Sequence, residues 1–140
     1  MTREEIEDLF SKTKKRLRKR TKLQSPAFKN EALVINADFW NHLKFQKNKK
    51  PRTHEDILSR LRAIDTMIEI IENAPYYQDY FTGKDKNNIM HFWTILATCN
   101  DIRYCVVVRK KGKQGNKHIY SIIPNWRGYI PRAETPIIKG

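Results

Sequence analysis

Eight of the eleven residues from Lys12 to Lys22 are lysine or arginine, with no acid among them. Two more acid-free stretches, Lys44 to Arg52 and Arg109 to Lys117, carry five basic residues each. The three hold 18 of the 28 basic residues in a 140-residue chain of formal net charge +13, so the positive charge comes in patches. A patch of this kind attracts a polyanion and releases its condensed counterions on contact, with no readout of sequence. The residues assigned to nucleic-acid binding on this basis are Lys14, Lys15, Arg16, Arg18, Lys19 and Arg20, then Lys49, Lys50 and Arg52, and then Arg109, Lys110, Lys111 and Lys113. The charge also suits an anionic membrane surface or an acidic protein, and a basic run on a solvated face needs no ligand at all.

Other chemistries lack their motifs. There is no Gly-rich phosphate loop, no paired-carboxylate motif and no H-E-x-x-H, which leaves kinase, glycosidase and zincin readings without support. Cys99 and Cys105 stand outside any C-x-x-C motif, so a structural zinc is not expected, and no cofactor is implied. No stretch approaches 18 continuous apolar residues, no apolar region follows the charged N-terminus, and a reducing cytoplasm is the expected compartment.

The elements that position these residues begin with a helix from Thr2 to about Lys22, capped by the Thr2/Glu5 pair and carrying Ile6, Leu9, Phe10 and Leu17 on one face. Like charges in its second half predict fraying there. Lys22 to Asn30 is expected as a linker around Ser25-Pro26, and Leu33-Val34-Ile35 as a short strand. Asn36 or Asp38 can cap a helix with Phe39, Trp40 and Leu43. After a loop around Pro51, the spacing of Ile57, Leu58, Leu61, Ile64, Ile68 and Ile71 predicts one long helix from about Thr53 to Asn73. Tyr76, Tyr77, Tyr80 and Phe81 follow, as packing over the helix end or as rings for bases to stack on. Ile89 to Cys99, Ile102 to Arg109 and His118 to Ile123 read as a meander, with Asn100-Asp101 as its first turn. The expected fold class is α+β, helices packed on a small antiparallel sheet, divided into a basic N-terminal helix (1–24), a core domain (25–124) and an extended tail (125–140).

Strand parity separates two sheet faces. With a two-residue turn, Trp93, Ile95, Ala97, Ile102, Tyr104, Val106 and Val108 share the core face. Phe92, Thr94, Leu96, Thr98, Arg103, Cys105, Val107 and Arg109 share the other, where Arg103 could anchor a phosphate bidentately or remain a solvated strand charge. The same alternation puts the two cysteines on opposite faces, too far for a disulfide.

The order strand, helix, helix, three strands contains Val34-Ile35-Asn36-x-Asp38-Phe39-Trp40-Asn41-His42-Leu43, Ile57-Leu58-x-Arg60-Leu61, His91-Phe92-Trp93, Tyr104-Cys105-Val106-Val107-Val108 and Ile119-Tyr120-Ser121-Ile122. In this it resembles the phage-associated branch of the Barnase–EndoU–colicin–RelE superfamily of small RNases, over roughly residues 31 to 124. The resemblance implies a metal-independent endoribonuclease, toxin-like or phage-derived, in which a 2′-hydroxyl attacks the adjacent phosphorus while the protein supplies acid, base and cationic stabilisation. It places catalytic residues at His42, His91, Arg103 and Ser121, against which stand a surface position for His42, a structural one for His91 and a plain strand position for Ser121. The implied partners are RNA or another nucleic acid and an acidic antitoxin or immunity protein, with no membrane. The competing readings are a non-catalytic nucleic-acid-binding protein on the same scaffold and an interaction module docked through its basic helix.

Overall fold

A computed structural model describes residues 1–113, 115–128 and 135–138. Among these residues the fold is α+β, four helices against one six-stranded sheet of order β1-β2-β6-β5-β4-β3, which is mixed and not antiparallel throughout as expected, because β2 runs parallel to β6. Helix α1 (Arg3–Arg16) opens with a complete Thr2/Glu5 capping box and has Glu4 and Glu5 in its first turn and Lys14, Lys15 and Arg16 in its last, both favourable to the helix dipole. Its basic end tightens into a 3₁₀ turn at Leu17–Lys19, a little earlier than predicted.

The expected linker is a hairpin. Strands β1 (Lys22–Ser25) and β2 (Glu31–Val34) pair antiparallel, with Pro26–Phe28 as a 3₁₀ turn and Lys29 and Asn30 at positive φ closing it. Asn36 caps α2 (Ala37–Lys44) by accepting from the Asp38 amide. The predicted long helix is two, α3 (His54–Arg62) and α4 (Ile64–Asn73), which meet at Ala63. No proline or glycine breaks it. The halves bury different surfaces, α3 against α1 and α2, and α4 against β1, β4 and β5.

The sheet continues with β3 (Asp79–Asp85), β4 (Asn88–Cys99), β5 (Ile102–Lys111) and β6 (His118–Ile123). The predicted register of β4 and β5 is the observed one: Cys99 faces Ile102, and Asn100 and Asp101 both adopt positive φ, as a twist-matched two-residue hairpin turn requires. Cys99 and Cys105 are accordingly on opposite faces, both buried as free thiols, and burial pushes the Cys105 thiol up to about 12. Strand β3 is not predicted by the sequence pattern. Its Tyr80 and Phe81 alternate across an edge strand and are 45% and 48% exposed, so they do not pack over the helix end.

The core lies between the helices and the Ile95–Val106–Ile122 face of the sheet. Ile6, Phe10 and Leu17, from α1 and the turn after it, belong to it, and so does Leu23 of β1, so the division at residue 24 does not correspond to a break in the core. Part of the C-terminal segment docks as well: Ile138 is buried, its amide donates to the Thr98 carbonyl, and the Pro136 carbonyl accepts from the Thr98 amide. The rest of the expected tail, residues 129–134, 139 and 140, falls outside the described residues. Among the described residues, no helix is long and apolar enough to cross a membrane.

Candidate active site

Two local features create the site. First, β2 pairs parallel with β6 at a single position, Val34 with His118, so among the described residues no strand lies beside the rest of that edge of β6, and α2 packs there instead. Second, a bulge between β5 and β6 shifts the register: Val108 faces Ile119, yet Val107 faces Ser121. Tyr120 is the extra residue. A bulge re-aims side chains, and here Tyr120 lies over the sheet face opposite the core, against Phe92 of β4 (ring centroids 6.2 Å, planes at 69°).

His42 of α2 stacks on Tyr120, with centroids 4.1 Å apart and planes at 21°. The Arg109 guanidinium covers the same tyrosine ring at 4.2 Å. Arg109 also donates through Nη2 to Asp38 Oδ2 at 2.8 Å and through Nε to His118 Nε2 at 3.1 Å. His42, Tyr120, Arg109 and Asp38 line, with Asn41, Phe45, Gln46, Lys47 and Lys49, an open cleft of about 590 Å³. Lys47 and Lys49 sit on an exposed reversal closed by Gln46 N donating to Lys50 O, with Lys49 at positive φ.

Behind the cleft is a chain of charged contacts. Arg52 donates from Nε to the His42 carbonyl at 2.9 Å, closing the end of α2, and its Nη1 pairs with Asp56 at 3.2 Å. Its Nη2 lies 3.1 Å from His42 Nε2. A guanidinium has no acceptor, so His42 Nε2 must be the accepting nitrogen and the ring proton sits on Nδ1. Arg60, buried on the apolar face of α3, takes Asp56 Oδ1 at 3.0 Å and donates from Nη1 to Ser121 Oγ and the Ile122 carbonyl, both at 3.0 Å. It thereby satisfies the β6 edge that no strand reaches.

This arrangement keeps both histidines neutral. Burial, then the charges of Arg52, Arg60 and Arg109, lower His42 to about 4, and Asp56 only partly opposes them. Burial and Arg109 lower His118 as well, against Asp38. His118 Nε2 stands 3.8 Å from Asp38, but it already accepts from Arg109 Nε, so the contact is not an ion pair. A neutral imidazole beside two guanidiniums and a phenol can take up a proton while the cations stabilise an anion.

The four residues assigned to catalysis do not converge. His42 lies in the cleft. Ser121 is buried with its hydroxyl accepting from Arg60, which makes it part of the support. His91 belongs to the opposite face of the sheet, where Nδ1 meets the Tyr80 hydroxyl at 2.6 Å and its ring lies beside both Tyr80 and Trp93 in an aromatic cluster. Arg103 shares the site face but lies six residues along β5 from Arg109, roughly 20 Å in an extended strand. Arg109, in the row of Phe92 and His118, is the arginine that reaches the cleft.

The basic residues divide too. Lys14, Lys15, Arg18, Lys19, Lys49, Lys50, Lys111 and Lys113 are exposed. Arg16 and Arg20 pair across to Asp65 and Glu72 of α4. Arg52, 10% exposed, is a clamp on His42 and not a surface cation. Lys110 faces His91, away from the cleft.

Sequence reasoning missed Asp38, Asp56, Arg60, His118 and Tyr120 as site residues. Arg60 left one signal: it falls on the apolar stripe of Ile57, Leu61 and Ile64, four residues after an aspartate. Tyr120 left none, because a bulge is invisible to strict alternation. No family model, curated protein or solved structure matches the chain.

Proposed function

We propose that this chain is a metal-independent endoribonuclease of the barnase–RelE type, with the His42–Tyr120–Arg109 cleft as its active site. One observation carries the reading: a neutral imidazole and a guanidinium each pack on the same phenol ring in an open cleft rimmed by Lys47 and Lys49. In this mechanism Arg52 Nη2 turns from His42 Nε2 to the incoming phosphate, and the freed Nε2 takes the proton of a ribose 2′-hydroxyl as that oxygen attacks the adjacent phosphorus. The bond from phosphorus to the 5′-oxygen breaks, and Tyr120 protonates the leaving oxygen. Arg109 holds the charge on the non-bridging oxygens. The products are a 2′,3′-cyclic phosphate and a 5′-hydroxyl, and the proton on His42 returns to Tyr120, so the cycle closes. A bound phosphate offsets the three guanidiniums that depress His42, raising its basicity when substrate is present.

A second reading rests on its own observation. Both imidazole Nε2 atoms already accept an arginine N–H, so each histidine serves equally well as a fixed strut in a non-catalytic nucleic-acid-binding protein. An acidic antitoxin or immunity protein would meet the same basic rim in either case. Incubation of purified protein with total RNA in EDTA separates the two. Fragments with cyclic or 3′-phosphate ends, lost with His42→Ala, support the nuclease. Tight binding with no cleavage of a broad panel, ribosome-bound mRNA and tRNA included, assigns the binding protein.

A further inference from the structure

The face of the sheet that carries the cleft has a row running across four strands. Phe81 of β3 pairs with Phe92 of β4, Phe92 with Arg109 of β5, and Arg109 with His118 of β6. Paired residues share a face, so the four side chains stand side by side, about 4.8 Å apart from strand to strand. The two phenyl rings are stacked, with centroids 5.1 Å apart and planes at 12°, and Phe81 is 48% exposed. Phe92 then touches Tyr120 edge to face, and Tyr120 stacks on His42. The aromatic track thus starts at the open edge of the sheet and ends in the cleft.

Its surroundings are asymmetric. In the next row on one side stand Gly83, Met90 and Lys111, and Lys111 is exposed. A Cβ on Gly83 would meet the Phe92 ring at 3.5 Å, ordinary contact, so the glycine leaves the flank of that ring uncovered. In the row on the other side, β3 carries Asp79. An anionic backbone is therefore drawn along the Lys111–Gly83 side and repelled from the Asp79 side.

We infer that Phe81 and Phe92 form a base-stacking subsite that receives unpaired nucleotides of single-stranded nucleic acid and leads the adjoining phosphate to Arg109. The inference rests on the cleft's being a nucleic-acid site, and it deepens that reading by naming the substrate as unpaired. A solvent-facing phenyl pair joined to a cation is the combination that binds single strands without reading sequence, since every base offers a π-face. A four-stranded sheet holds about two bases in this way, and a base kept in a duplex presents no face to the rings.

The test uses a fluorescent single-stranded DNA oligonucleotide, which lacks the 2′-hydroxyl and cannot be cut by the proposed chemistry. Phe81→Ala and Phe81→Leu should both weaken binding by about 5- to 150-fold at fixed salt, the scale of one lost base stack, while Phe81→Trp restores it. The wild-type protein should prefer the single strand to a duplex of the same sequence, and an oligonucleotide of abasic sites should bind it as weakly as normal DNA binds Phe81→Ala. Thermal unfolding checks the fold of each variant, and Phe81, at a sheet edge, is removable without opening the core. Equal affinity of wild type and Phe81→Leu for the single strand would overturn the inference. So would a change in self-association on Phe81→Ala with no change in DNA binding, which would assign the rings to contact between copies at the β3 edge. Because none of these measurements requires cleavage, an inactive enzyme that still loses DNA affinity with Phe81 refutes the nuclease alone.

Discussion

The cleft beside α2 and the basic end of α1 are both arginine-rich, yet the residues do opposite work. At the end of α1, Arg16 and Arg20 reach exposed acids on α4, pairs worth little in water, and Lys14, Lys15, Arg18 and Lys19 stand in solvent as a diffuse field. In the cleft, Arg52, Arg60 and Arg109 are 8–18% exposed, and each donates to defined acceptors: the His42 and Ile122 carbonyls, Ser121, Asp56, Asp38 and the imidazoles. Charge in solvent sets how strongly a polyanion is attracted, and charge out of solvent sets which protons the neighbouring groups hold. Under the proposed function the contrast is one between affinity and chemistry, and it can be broken by experiment.

The largest effect should come from the cleft. His42→Ala or Arg109→Ala should lower RNA cleavage by about 10²-fold or more, the scale of losing an acid–base group or a transition-state contact. RNA affinity at moderate salt should change far less, because the exposed cations remain. Single-turnover cleavage of a labelled oligoribonucleotide measures the first, and anisotropy the second. Parallel loss of both would mean that the cleft supplies only attraction.

Stability gives the next contrast. Arg60→Met keeps much of the volume but leaves Ser121 Oγ and the Ile122 carbonyl without a donor, so it should cost about 2–4 kcal/mol in urea unfolding. Arg16→Ala, which removes an exposed pair, should stay within about 0.5 kcal/mol. Equal costs would show that burial of the guanidinium is immaterial.

The histidines predict the shape of the pH profile. Folding depresses His42 from its ordinary 6.5 to about 4, and depresses His118 in the same direction, so the unfolded chain binds more protons below neutrality. Both contributions are fully present above about pH 6.5 and are lost as the pH falls; that of His42 is lost toward pH 4 and changes no further below it. For His42, whose ring is partly open to solvent, the loss should be about 1–2 kcal/mol after screening. Urea midpoints at pH 7 and pH 4.5 should converge in His42→Gln relative to the wild-type protein. An unchanged difference would mean that His42 titrates as if free.

How much of this was legible in the sequence follows from which physics is local. The capping box of α1, the Asn36 cap, the two-residue Asn100-Asp101 turn and the parity of β4 and β5 are short-range, and all appear where the residues predict them. Strands β1 and β3 were not legible, because Lys22–Ser25 and Asp79–Asp85 are mostly polar edge strands held by their partners and not by their own apolar pattern. The break at Ala63 follows from what α3 and α4 each pack against. Within the candidate site, His42 lies on the helix that the sequence predicts, and Arg109 lies on the sheet face that strand parity assigns to it. The choice of Arg103 over Arg109 depended on where α2 crosses β6, and that is set by the single β2–β6 pairing and the bulge at Tyr120.

The smallest effect on the fold should come from the basic end of α1, and it closes the contrast from the other side. Lys14 and Lys15 end α1 and Arg18 and Lys19 belong to the 3₁₀ turn after it, all four exposed like charges that bury no surface. Replacing these four residues with glutamine should therefore leave the unfolding midpoint unchanged or slightly raised. Phe10→Ala on the same helix, which empties a core position, should cost about 3–5 kcal/mol. RNA binding should respond in proportion to the number of phosphates no longer neutralised. Each one makes the fall of log K with log salt shallower by about 0.7, so four would remove roughly 3 from the slope. Cleavage of a short oligoribonucleotide at saturating protein should be untouched, because these exposed cations line no part of the cleft. If the fourfold variant instead cleaves as slowly as His42→Ala when saturated, the helix is part of the catalytic apparatus and the division between attracting and reacting charge does not hold.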